Sequence, residues 1–165
     1  MTDFTIRPFT AGEWTTWRAL RLAALADSPD AFGSTLADAQ ARADATWQAL
    51  LAQAVAAPEQ LPLLAEVAGE SAGLTWAQVE GGNAVVYQVW VAPDYRGRGI
   101  ARALLERAIG WARDRGATVM ELGVTAGDTP AVRLYRRLGF EAMGAPIPMP
   151  NRNGLHEQPM RLVMD

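Results

Sequence analysis

Asp94-Tyr95-Arg96-Gly97-Arg98-Gly99-Ile100-Ala101-Arg102 joins an apolar, β-type run at 84–91 to an amphipathic helical pattern at 100–115. Glycines at 97 and 99 let the backbone approach a ligand with no Cβ in the way. The helix that follows offers its unpaired first-turn N–H groups and the positive end of its dipole. Arg96, Arg98 and Arg102 fall in the same stretch. Together these features predict an anion site suited to a diphosphate.

Two familiar phosphate loops do not fit. The dinucleotide fingerprint G-x-G-x-x-G needs glycine at 102, where this chain has Arg102, and it follows a first strand rather than lying mid-chain. The nucleoside-triphosphate loop G-x-x-x-x-G-K-S/T needs a lysine, and the chain has none. What remains, Arg96-x-x-Gly99-x-Ala101, resembles the Q/R-x-x-G-x-G/A acyl-coenzyme A signature of the GNAT acetyltransferase superfamily. Its neighbours agree: Val89-Trp90-Val91-Ala92-Pro93-Asp94-Tyr95 looks like that family's fourth strand and following turn, and Leu134-Tyr135-Arg136-Arg137-Leu138-Gly139-Phe140 looks like its L-Y-x-K/R-x-G-F segment. The resemblance is strong over 63–140 and only generic outside it.

The resemblance implies acetyl-CoA as cofactor, held by Arg96, Gly97, Arg98, Gly99, Ile100, Ala101 and Arg102, with its acetyl and pantetheine groups beside Val89, Trp90 and Val91. Amide formation from an amine then sets three chemical requirements. An ammonium with pKa near 10.4 is neutral in about four molecules per ten thousand at pH 7, a deficit of roughly 4.6 kcal/mol, so something must take its proton. The acetyl carbonyl oxygen gains negative charge in the transition state and needs a fixed donor. The departing thiolate needs a proton. Family likeness gives the last role to the phenol of Tyr135 and the second to a main-chain N–H of Val89, Trp90 or Val91.

The base is less plain. Some family members carry a glutamate on the fifth strand where this chain has Gly123. Glu121 lies two residues earlier, on the same face by the period of a strand, and could activate the amine through a water. A charged residue at a strand end is the plainer reading of Glu121, and His156 and Glu157 in the tail are weaker alternatives. Asp128 stands where many members have an asparagine that contacts the pantetheine arm. An ionised aspartate cannot donate that hydrogen bond, and Asp128-Thr129-Pro130 is also a good helix start.

Positioning these residues requires a mixed α/β sheet. Residues 4–8 read as an edge strand closed by Pro8, 13–26 as a helix, 28–30 as a loop, and 38–56 as a second helix around Trp47, Leu50 and Leu51. Runs at 63–67, 72–79 and 84–91, with turns at 69–70 and 81–83, read as an antiparallel meander. The helix at 100–115 carries a stripe of Ile100, Leu104, Leu105, Ala108, Ile109 and Ala112. Then come a fifth strand at 119–124, a helix at 130–138 and closing strands at 140–145 and 158–164. The family fold, a mostly antiparallel sheet splayed between fourth and fifth strands and flanked by helices, has this order. Trp14, Trp17, Phe32 and Trp76 are read as core rather than pocket lining. The proline-rich run 146–154 is read as an extended loop walling the acceptor side.

Composition narrows the classes. The chain has 165 residues, half of them hydrophobic, enough for one domain over 1–165 with its own core. A net charge of −3 argues against nucleic acid as the main partner. With no cysteine and one histidine, a thiolate metal site, a cysteine nucleophile and a multi-histidine cluster are excluded. No segment reads as a membrane span, and residues 1–9 lack the apolar core of a signal peptide, so the expected location is cytoplasmic. The expected activity is transfer of acetyl from acetyl-CoA to a primary amine by direct attack in a ternary complex. The acceptor is expected to be a small molecule; a peptide N-terminus, or a non-catalytic acyl-CoA-binding regulatory role, is the alternative. Homodimerisation through sheet edges is an open option.

Overall fold

A computed structural model describes residues 3–32, 34–150 and 154–164. Strands β2 (Gln60–Val67), β3 (Glu70–Glu80) and β4 (Asn83–Val91) form the antiparallel meander. The β2–β3 turn is tight because Ala68 and Gly69 both take positive φ, the twist that suits a two-residue hairpin. Strand β1 (Thr5–Pro8) adds at the edge beside β2. On the other side β5 (Val119–Thr125) runs parallel to β4, and β8 (His156–Val163) pairs antiparallel with β5. The eight-stranded order is β1-β2-β3-β4-β5-β8-β6, where β6 (Glu141–Ala142) and β7 (Ile147–Pro148) both pair with β8.

Each sheet face carries its own core. On one face lies α4 (Ile100–Asp114), whose predicted stripe of Ile100, Leu104, Leu105, Ala108, Ile109 and Ala112 is buried throughout. Beside it α5 (Pro130–Arg137) starts at Thr129, whose hydroxyl accepts from the Val132 N–H at 3.2 Å, with Pro130 at the first helical position. The opposite face is covered by α1 (Trp14–Asp27), α2 (Leu36–Ala41) and α3 (Asp44–Ala56). Here Trp17 meets Trp47 edge-on at 4.8 Å and Trp76 at 5.0 Å. Trp17, Phe32 and Trp76 are buried, as their composition suggested, and Trp14 packs against the same cluster.

Three local expectations are corrected. The helix expected at 38–56 breaks at Arg42 and Ala43, both in extended conformation. The break lets α3 turn Trp47, Leu51 and Ala54 inward while the Arg42 guanidinium stacks on Trp47 at 4.4 Å, so packing overrides a continuous helical propensity. The strand expected at 140–145 shortens to Glu141–Ala142, because Gly144 turns at φ +70. The run expected as a loop at 146–154 contributes β7, which pairs with His156 and Glu157; residues 151–153 lie outside the described residues. Among the described residues no helix is long and apolar enough to cross a membrane.

Candidate functional site

Strands β4 and β5 pair only from Asn83–Val119 to Val85–Glu121 and then part. The cause lies in β4 itself. Between Tyr87, opposite Trp76, and Trp90, opposite Leu74, β4 has two residues where β3 has only Thr75. This β-bulge carries Gln88 at φ +59 and bends the strand, while Thr75 hydroxyl donates to the Tyr87 carbonyl at 3.1 Å. Gln88 is tied to α1 by the Trp17 indole N–H, which donates to its side-chain oxygen at 3.2 Å. Beyond Val85 no residue of β5 pairs with β4, so main-chain groups of Tyr87 to Val91 that point toward β5 face a gap. Val89, Trp90 and Val91 therefore stand along its edge.

Arg96, Gly97, Gly99, Ile100, Ala101 and Arg102 line a groove of about 420 Å³ that also includes Val91, Pro130, Leu134 and Arg137. Gly97 and Gly99 take φ +81 and +85, and a Cβ at either would meet nothing within 4 Å, so the loop leaves open space over its backbone. Gly99 is also the N-cap of α4, which aims first-turn N–H groups at the loop.

The three loop arginines are not equivalent. Arg96 Nε donates to the Val91 carbonyl at 2.9 Å and its Nη2 to Asp27 Oδ2 at 2.6 Å, so its side chain braces the loop against β4 and the end of α1. Asp27 Oδ2 accepts from the Trp90 indole N–H at 3.1 Å and from the Ser28 hydroxyl at 2.7 Å. Hydrogen bonds from Ser28, Arg96 and Trp90 hold its carboxyl down at about 2. Nothing in the sequence singles out Asp27, which lies far from the loop along the chain. Arg98 pairs with Asp3 at 3.0 Å and Arg102 with Glu106 at 2.6 Å, both as exposed pairs that a stronger anion can displace.

Tyr135 lies buried on α5, edge-on to Phe140 at 6.0 Å, in the same core as Met120, Leu122 and Val124 of β5. Burial pushes its phenol up to about 12, and among the described residues its hydroxyl makes no hydrogen bond. Its neighbour Leu134 lines the groove, and Tyr135 itself is not part of that lining. Glu121 points from the other face of β5, where Arg161 of β8 donates to its carboxylate at 3.3 Å. Asp128 pairs with Arg133 at 2.9 Å and does not line the groove. The sheet thus separates Tyr135 from Glu121, which is still paired with Val85 of β4.

Residues 20–140 match the model of the acetyltransferase (GNAT) family. The chain is 36% identical over 132 residues to a mycothiol acetyltransferase of Clavibacter sepedonicus, a match covering 80% of this chain and 41% of that protein. It spans less than half the length of the curated relatives of that name. Among solved structures, a GNAT-family acetyltransferase from Streptococcus pneumoniae superposes with TM-score 0.82 at 19% identity, over 99% of this chain and all of that one. A putative acetyltransferase of Salmonella typhimurium, solved with its cofactor acetyl-CoA, gives 0.81 at 22% identity over 99% and 95% of the two chains. At such identities the superpositions speak for the fold, and with the family match they lead to one conclusion: this chain belongs to the GNAT acetyltransferase family.

Proposed function

We propose that this chain transfers an acetyl group from acetyl-CoA to the primary amine of a small molecule, by direct attack in the gap between β4 and β5. The observation that carries this reading is the gap itself, opened by the bulge at Gln88, together with a glycine-lined groove that begins at Val91, the end of β4, and lies at the N-terminus of a long helix. An open cradle at Gly97 and Gly99, free first-turn N–H groups, and the displaceable Arg102 of the groove lining fit a diphosphate. Acetyl-CoA, when bound, supplies the thioester to be cleaved. Main-chain N–H groups of Val89 to Val91 that face the gap would stabilise charge on the carbonyl oxygen. Tyr135, with a phenol that stays protonated through neutral pH, would give its proton to the sulfur. A small acceptor is supported by relatives that bear the name of a small molecule, mycothiol, and by the glycine at 123.

Two measurements test this. Acetyl-CoA at about a hundred times its dissociation constant should stabilise the fold by ~2.7 kcal/mol, which for a chain of this size raises Tm by roughly 5–10 °C. Release of free thiol should then be followed against a panel of alkylamines, amino acids, aminoglycosides, polyamines and N-terminal peptides. Turnover confined to peptides would overturn the small-molecule acceptor. Stabilisation without turnover on any amine would favour a binding role, and absence of stabilisation would refute the cofactor site.

A further inference from the structure

Gly123 lies in β5 two residues past the last residue paired with β4, so it lines the gap. Its backbone is ordinary, yet the space beside it is taken. A Cβ built on Gly123 would stand 1.9 Å from Oε1 of Glu157, 2.6 Å from its Cδ and 3.1 Å from its Cγ. The carboxylate of Glu157, carried on β8, thus fills the volume that a side chain at position 123 would use. Register explains the reach: Glu157 is paired with Thr125 and Pro159 with Gly123, and paired residues of antiparallel strands share a face. Among the described residues the Glu157 carboxylate makes no hydrogen bond or ion pair.

Faces matter here. Met120, Leu122 and Val124 of β5 pack on the side of Tyr135, whereas Gly123 and Thr125 look toward α1, where the Thr125 hydroxyl donates to the Asp30 carbonyl in the turn after that helix. An acceptor arriving from the α1 side would meet Glu157 before the thioester, and Tyr135 would stand on the far side with the sulfur. Glu121 shares the face of Glu157 but is held by Arg161, and it belongs to the stretch where β4 and β5 are still paired.

Resting on the acetyltransferase reading above, we infer that Glu157 is the general base that removes the proton of the acceptor ammonium, reaching from β8 into the side-chain space left empty at Gly123. The carboxylate takes one proton from the ammonium and passes it to solvent. The freed lone pair forms the C–N bond as the C–S bond breaks. The second nitrogen proton leaves by the same carboxylate, and the sulfur takes one from Tyr135, which recovers it from solvent. Each amide formed therefore releases one proton overall. General-base catalysis of this kind accounts for about 10²–10⁴ in rate.

The test compares Glu157→Gln, Glu121→Gln and the double variant Gly123→Glu/Glu157→Ala with the parent. Turnover is read as thiol release from acetyl-CoA with spermidine, or with the fastest other amine of the panel, and with hydroxylamine, which is already neutral at pH 7. Glu157→Gln should lose at least a hundredfold in kcat with the basic amine and much less with hydroxylamine, while acetyl-CoA raises its Tm as in the parent. It should lose more than Glu121→Gln. The double variant, which offers the carboxylate in the same volume from β5, should recover tenfold or more over Glu157→Gln. Equal losses with both amines, a loss under threefold, or a larger loss in Glu121→Gln would overturn the assignment while leaving the transferase reading intact. A parent that acetylates neither amine would refute the transferase reading and the base with it.

Discussion

Gly123→Ala should separate stability from activity. Ordinary Cβ contacts begin at 3.4 Å, and the new methyl would stand 1.9 Å from Glu157 Oε1. The carboxylate must therefore retreat by about 1.5 Å, and displacement of a catalytic group by even 1 Å costs about a hundredfold. Stability should move the other way. The atoms in the way are the far end of a flexible side chain, and alanine in a strand lowers the entropy of the unfolded chain by about 0.4–1 kcal/mol relative to glycine. The assay is thiol-release kcat beside a thermal melt, for Gly123→Ala, Glu157→Gln and the pair combined. The expected pattern is a kcat reduced roughly a hundredfold with Tm unchanged or raised, and a combined variant no worse than Glu157→Gln alone, since both act on one carboxylate. A kcat within threefold of the parent, or losses that multiply in the combined variant, would refute the reasoning.

Other perturbations follow from the same geometry. Asp27→Ala removes the acceptor of the Arg96, Trp90 and Ser28 hydrogen bonds and should weaken acetyl-CoA binding severalfold without touching the groove, as read by calorimetric titration. Because the Asp27 carboxyl is depressed from its ordinary 3.8 to about 2, the stability it contributes is complete above pH 3.8 and fades as pH falls through about 2. Tm of the parent should drop more steeply than that of Asp27→Ala across this window. Gly99→Ala forces a Cβ into φ +85 at the start of α4, at about 1–2 kcal/mol, and should reduce the Tm gain from acetyl-CoA as well as Tm itself.

Local signals carried far along this chain. The loop at 94–102 was legible because a left-handed glycine, a helix start and clustered arginines are all local, and the α4 stripe because six apolar residues recur at three- and four-residue spacing. What could not be read depended on contacts between distant segments. The break at Arg42 and Ala43 is set by Trp47 meeting Trp17. Arg96 lines the groove as its motif led one to expect, but the hydrogen bonds of its guanidinium to Asp27 and the Val91 carbonyl join segments that the motif does not connect. A glycine inside a strand often marks another group close by, and at Gly123 that group is Glu157, which only the register of β5 with β8 reveals.

Tyr135→Phe tests the central claim most directly, because the ring is packed in the core, the hydroxyl makes no hydrogen bond among the described residues and is not among the buried unpartnered polar atoms, and it has no role in the proposed binding of acetyl-CoA. Steady-state thiol release and acetyl-CoA binding should be measured together on this variant. The account predicts a kcat lower by about 10²–10⁴ with the dissociation constant for acetyl-CoA unchanged within about threefold. Full turnover in the phenylalanine variant would contradict it.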